Sequence, residues 1–239
     1  MPNNGIPEGI KKNPLSFIRV ATQNLKIIIE RHQATHSEEK FNHFIQNIRQ
    51  VFEQYYSALA EFDQGVDRAL VAHRLANNSI QQSNTQSSCS RGCSACCFFE
   101  VEITTDEGIL LTALINGGIE IDQARLNNQA ARAKKSPEWG KFLNESNRCI
   151  FLGPDQTCRI YDFRPLVCRK HMVSSPPSDC SNGTDIPILL PLTEIALSAA
   201  LSQPGNTFNS LSKTLTEILG ETPEKSSPQD VDLDLPLEF

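Results

Sequence analysis

The sequence has no cysteine in its first 88 residues and none in its last 59, and it contains one tryptophan, two methionines and three tyrosines. No stretch approaches the roughly 20 consecutive apolar residues of a membrane-spanning helix, so no membrane contact of that kind is expected. The segment Met1–Pro14 lacks the apolar centre of a secretory signal, which makes the cytosol the expected location. Thiols stay reduced there, and a disulfide framework is not expected. Strongly basic regions are also missing. Residues 1–88 carry 9 Lys+Arg against 8 Asp+Glu, and residues 89–220 carry 12 against 14. Nucleic acid is therefore not the expected partner. Two other signatures are absent: a glycine-rich nucleotide loop after a strand, and a His pair tied to a carboxylate at zinc-protease spacing.

What is present falls into five segments. Residues 1–14, rich in proline and glycine, read as a loose leader. Residues 15–76 have helical periodicity. Phe17, Ile18, Ala21, Leu25, Ile28 and Ile29 share one face, and Phe41, Phe44, Ile45, Ile48, Val51, Phe52, Tyr55, Leu59 and Phe62 share another. Ser37 is an N-cap candidate between them, and Gly65 a bend. This module of two or three antiparallel helices is the candidate surface for a protein partner. Residues 77–88, almost all amides and hydroxyls, read as a polar linker. Residues 89–220 read as a cysteine-rich domain ending in two helices, and residues 221–239 as an acidic tail. The fold class expected is mainly α: a helical N-terminal module plus a small, irregular cysteine-rich metal-binding domain with short strands and flanking helices.

All eight cysteines lie between Cys89 and Cys180. Cys89, Cys93, Cys96 and Cys97 stand as C-S-R-G-C-S-A-C-C, and Cys149, Cys158, Cys168 and Cys180 follow. Thiolates two to four residues apart can reach one ion across a tight turn, and eight thiols suffice for two four-ligand sites or for one site plus an iron–sulfur cluster. The occupants that this chemistry allows are zinc, iron or a [4Fe-4S] cluster. His171, three residues after Cys168, is a further donor candidate, and Trp139 and Phe142 are expected beside the site. Six basic residues are interleaved with the thiols: Arg91, Arg148, Arg159, Arg164, Arg169 and Lys170. They can offset thiolate charge, and Arg164 and Arg169, on either side of Pro165 and Cys168, are the candidates to face a cofactor or anion. Thr104 or Thr105 can cap a helix with Asp106 and Glu107 in its first turn. The spacing Cys89-x3-Cys93-x2-Cys96 also matches radical SAM enzymes, but few strand signals follow from which to build their barrel.

Taken together these motifs resemble the CxxCxxCC (YkgJ-type) cysteine-cluster family, a zinc- or iron-chelating domain. The resemblance is carried by Cys93, Cys96 and Cys97, then Thr104 to Glu107, then Cys149-Ile-Phe-Leu152. Cys158-Arg-Ile-Tyr161, Arg164-Pro165, Cys168-Arg169 and Cys180 complete it. Cys89 departs from the family spacing, lying four residues before Cys93 instead of three. The resemblance implies metal chelation through up to eight cysteines. A related cysteine-rich group includes flagellin lysine N-methylases, so an iron–sulfur-dependent enzyme of that kind is the alternative reading.

Overall fold

A computed structural model describes residues 13–83, 85–140 and 144–221. Most of the expected leader, Phe142, and the acidic tail beyond Glu221 lie outside the described residues. Asn13 starts a turn through Phe17, in which its side-chain oxygen accepts from the Leu15 N–H at 3.2 Å. The first helix therefore begins later than the periodicity from Leu15 predicts. α1 spans Gln23–Thr35, with Thr22 capping the Leu25 N–H. α2 spans Glu38–Ala60, with Ser37 as its N-cap and Glu38 and Glu39 in its first turn, as the sequence predicts.

Gly65, at φ 147°, ends the turn after α2 in a backbone region that side chains rarely adopt. The chain therefore breaks instead of bending, and α3 (Val66–Gln82) is a separate helix. It runs through residues 77–82 of the stretch expected as a linker. Composition misleads there because Asn77 and Ser79 turn inward while Asn78, Gln81 and Gln82 stay exposed. Ser79 is buried, donates to the Leu75 carbonyl at 2.7 Å and shares a hydrogen bond with the Tyr55 hydroxyl at 3.1 Å.

The cysteine-rich region follows, with little regular structure. Its elements are β1 (Glu102–Thr104), α4 (Thr105–Asn116), α5 (Gln123–Ala130), α6 (Leu166–Lys170), β2 (Met172–Val173), α7 (Pro177–Asn182) and β3 (Pro187–Ile188). The chain closes with α8 (Pro191–Ser202), β4 (Phe208–Ser210) and α9 (Leu211–Glu221). β1 pairs antiparallel with β4, Ile103 opposite Asn209, and β2 pairs antiparallel with β3. Residues 208–210 are strand, and the last helix follows directly at Leu211.

Two hydrophobic cores result. One is built from α1, α2, α3 and α8, with Leu25, Ile45, Phe52, Leu59, Leu75 and Leu197 at its centre. The aromatic stripe of α2 is thus a core face, as expected. α8 comes from the far end of the chain and is buried at every residue from Thr193 to Ser202. A helix buried on all sides has to be enclosed, and α1–α3 pack around it. Arg19 caps its end, donating to the carbonyls of Leu201, Ser202 and Gln203 at 2.9, 3.1 and 3.0 Å. The second core joins Ile103, Leu111, Leu126, Ile150, Phe151, Ile160, Leu211 and Leu215. α4 and α9 approach closely there, since a Cβ on Gly108 would lie 2.5 Å from Thr214 Cγ2.

No helix among the described residues is long and apolar enough to cross a membrane. Among the same residues Ile186 is the large hydrophobic side chain left exposed. Because Leu197 is enclosed on all sides, Leu197→Ala should cost roughly 2–5 kcal/mol of folding stability by urea denaturation. A loss under about 1 kcal/mol would show that α8 is not the centre of this core.

Candidate metal centre

Four short backbone devices bring the thiols together. First, Gly92, at φ 93°, reverses the chain between Cys89 and Cys93, and the Cys93 N–H closes the turn on the Ser90 carbonyl at 3.1 Å. Second, a 3₁₀ turn over Ala95–Phe98 carries Cys96 and Cys97. Third, residues 149–159 form a tight hairpin. Leu152 bridges Cys158, the Gly153 N–H donates to the Thr157 carbonyl at 2.8 Å, and the Arg159 N–H donates to Phe151 at 3.0 Å. Fourth, Pro165 precedes α6, which carries Cys168. The Cys149 N–H donates to the Cys97 carbonyl at 2.7 Å and locks the hairpin to the 3₁₀ turn.

All eight cysteines are free thiols; Cys89 is exposed, Cys180 is buried, and the other six are half-buried. Cys96 and Cys97, adjacent in sequence, are hydrogen-bonded to each other. That bond lowers the Cys96 thiol to about 7, with help from the Arg164 guanidinium, and raises the Cys97 thiol. Burial pushes Cys149 up to about 12, against the pull of a hydrogen bond from the Phe151 N–H. Cys158 is also raised by burial, and its sulfur accepts from the Ile160 N–H. Cys168 is raised furthest of these two, by burial and then by the charges of Cys96, Cys149 and Cys158. Cys97, Cys149, Cys158 and Cys168 thus lie within electrostatic reach of one another around Cys96. Cys180 is raised by burial and then by Asp185, Cys89, Cys93 and Cys96.

Cys96 is the thiol whose charge acts on Cys97, Cys149, Cys158, Cys168 and Cys180 alike. Thiolate sulfur is a donor suited to zinc and iron. Among the described residues, no group of three or more His, Cys, Asp or Glu side chains is already arranged to hold an ion. The donor chemistry fits a metal.

The interleaved basic residues separate into two kinds. Arg148 bonds the Gly153 carbonyl and lies 3.6 Å from Glu145, Arg159 pairs with Glu120 at 3.5 Å, and Lys170 pairs with buried Glu194 at 3.0 Å. Arg91 and Arg164 sandwich the Tyr161 ring at 4.5 and 3.7 Å, and both act on Cys158. Arg164 thus faces the thiols. Arg169, expected to face a cofactor or anion, turns inward instead. It donates to the Arg164 carbonyl and to Asn77 Oδ1, both at 2.7 Å, to the Asp162 carbonyl, and to His73 Nδ1 at 3.4 Å.

These bonds reveal a buried network behind Cys168. Because Nδ1 of His73 accepts from Arg169, its Nε2–H donates to Glu107 Oε1, at 3.1 Å. Glu107 Oε1 also accepts from the Leu166 N–H at 2.6 Å. Its other oxygen closes a capping box with Thr104, accepting the Thr104 N–H at 2.9 Å. Neighbouring Asp106 holds Arg68 at 2.6 and 3.0 Å and the Gly65 N–H at 2.8 Å. The capping box is legible in the sequence; His73, Asn77 and Arg68 are not, since they come from α3. Arg125, whose charge acts on Cys149, gave no signal either, lying in α5 far from any cysteine in sequence. Trp139 stacks under Arg132 at 4.7 Å and lines a small cleft beside Cys149, as expected.

Burial lowers the His73 pKa below 6.5, partly offset by the bond to Glu107. Burial alone would raise Glu107, but the His73 bond and the Thr104 and Leu166 N–H groups hold it below the usual carboxylate range. The unfolded chain protonates its histidine near 6.5 while the folded chain does not, so this contribution is complete above that pH and is lost as pH falls below it. Urea denaturation of the full chain should show stability falling from about pH 7 to pH 5 more steeply than in His73→Gln, which cannot titrate. Parallel curves would mean that His73 is not held neutral.

No curated protein and no solved structure matches the chain. Residues 88–182 match the CxxCxxCC family model, described as "Putative zinc- or iron-chelating domain". That part of the chain, with its cysteines carried on four short turns, is similar to this domain.

Proposed function

We propose that residues 89–180 chelate zinc or iron through their cysteine thiolates, with Cys97, Cys149, Cys158 and Cys168 as the centre of one site. The observation that carries this reading is the convergence on Cys96 of thiols more than 50 residues apart in sequence, on turns joined by hydrogen bonds. A hydrophobic core has no need of clustered thiols, and once they ionise their mutual repulsion costs stability unless a cation offsets it. N–H groups of Phe151 and Ile160 already point at the sulfurs of Cys149 and Cys158, and such bonds stabilise thiolates. Arg164 supplies positive charge on the same side.

Cys97 sits on a 3₁₀ segment and Cys149 and Cys158 on a hairpin with a single bridge, not on strands in a ladder, while Cys168 is held on α6. The first three can draw inward around an ion at small cost. Binding then replaces protons with metal, so affinity falls as pH falls. A site of four thiolates closes the coordination sphere and acts by stabilising the domain. Zinc, iron and a [4Fe-4S] cluster are the occupants this donor set accommodates.

Elemental analysis and an absorption spectrum of protein purified without oxygen distinguish the three. Titration of zinc into the metal-free chain should release roughly three or more protons per ion, measured by calorimetry in buffers of different ionisation enthalpy. Cys168→Ser should lose one ion, and its Tm should no longer respond to added metal. Full metal content in Cys168→Ser, together with no proton release in the wild type, would overturn the assignment.

A further inference from the structure

Between Cys158 and Cys168 the chain makes a 3₁₀ turn over Tyr161–Phe163, passes Pro165 and enters α6. Arg169 straps this segment together. Its Nε donates to the Arg164 carbonyl at 2.7 Å, and Nη2 donates to the Asp162 carbonyl. We propose that Asn77 of α3, outside the matched residues 88–182, is a positioning residue for the metal centre, because it holds the Arg169 guanidinium in the orientation that closes the strap. This rests on the chelation reading above, in which Cys158 and Cys168 share an ion.

A guanidinium is a rigid planar fork, so an acceptor that fixes one arm fixes the direction of the others. Asn77 Oδ1 accepts from Nη1 at 2.7 Å, and His73 Nδ1 faces Nη2 at 3.4 Å. The Asn77 bond is the shorter of the two from α3, and His73 also serves Glu107, so Asn77 is the arm that can be removed alone. Arg169 is 5% exposed, which leaves little room for water to replace a lost acceptor. Asn77 is itself a firm anchor, since its neighbours Leu75 and Ala76 are buried in the first core.

Both ends of the strap bear on thiols. Cys168 directly precedes Arg169 in α6. Arg164, whose carbonyl the strap holds, lies over the Tyr161 ring at 3.7 Å, and its charge acts on Cys96 and Cys158. Without Asn77, the guanidinium turns to find another acceptor for Nη1 and draws Nε and Nη2 off the two carbonyls. Cys168 and Arg164 then lose their fixed places relative to Cys158. Groups that orient metal ligands in this way typically change affinity about 10–100-fold when removed.

Zinc affinity of the full metal-free chain, measured without oxygen by competition with a chromophoric chelator, tests this. Asn77→Ala should bind more than about tenfold more weakly, and cobalt(II) loaded into it should show displaced d–d bands. Asn77→Asp keeps an acceptor for Nη1 and should keep the wild-type affinity and bands. Ser79→Ala, on the same helix, loses bonds to Tyr55 and Leu75 instead, and should lower stability without moving affinity or bands. Unchanged affinity and bands in Asn77→Ala would overturn the inference and leave the chelation reading intact. Equal weakening in Asn77→Ala and Ser79→Ala would also overturn it, since lost stability would then explain both. A wild type that binds no ion would overturn both readings. Where Asn77→Ala does not fold, Asn77→Leu, which fills the space without an acceptor, takes its place against the same outcomes.

Discussion

The Glu107 carboxylate is the point from which the cysteine region is hung. It caps the start of α4 through the capping box with Thr104, receives the first N–H of α6 from Leu166, and receives His73 from α3. Arg169 closes the ring by bonding His73, Asn77 and the carbonyls ahead of α6. A buried carboxylate without such partners would cost several kcal/mol, so the three helices are fixed in one arrangement or not at all. Cys168 sits on α6 between Leu166 and Arg169. Its position is therefore set by polar bonds reaching into the N-terminal helices, and not by the thiol turns themselves.

That dependence gives the rest of the architecture its sense. The first core holds α3 in place by packing it with α1 and α2 around α8, a helix that the chain delivers only after the last cysteine. The second core seats the hairpin, with Ile150 and Phe151 buried between Cys149 and Cys158. Irregular turns thus stand on two packed foundations. The thiols keep the freedom to close on an ion while their supports stay rigid.

Much of this was legible in the sequence, and the exceptions have a common cause. The Thr104–Glu107 box and the Ser37 cap of α2 are local patterns, and each appears where its pattern predicts. Residues 77–82 defeated composition because Asn77 and Ser79 find buried partners that only the folded chain provides. α8 gave a helix signal but no face, since a helix buried all round has none to show. Arg169 looked like a free charge beside a cysteine, and its inward turn depends on acceptors from α3, about 92 positions earlier in the chain. Long-range polar pairing is what a single sequence conceals.

The central claim is that thiolate sulfur from this segment binds a metal. X-ray absorption at the metal edge of the full chain, purified without oxygen, measures that directly. The account predicts a dominant sulfur shell at about 2.3 Å. A shell of oxygen and nitrogen alone, at about 2.0–2.2 Å, would contradict it.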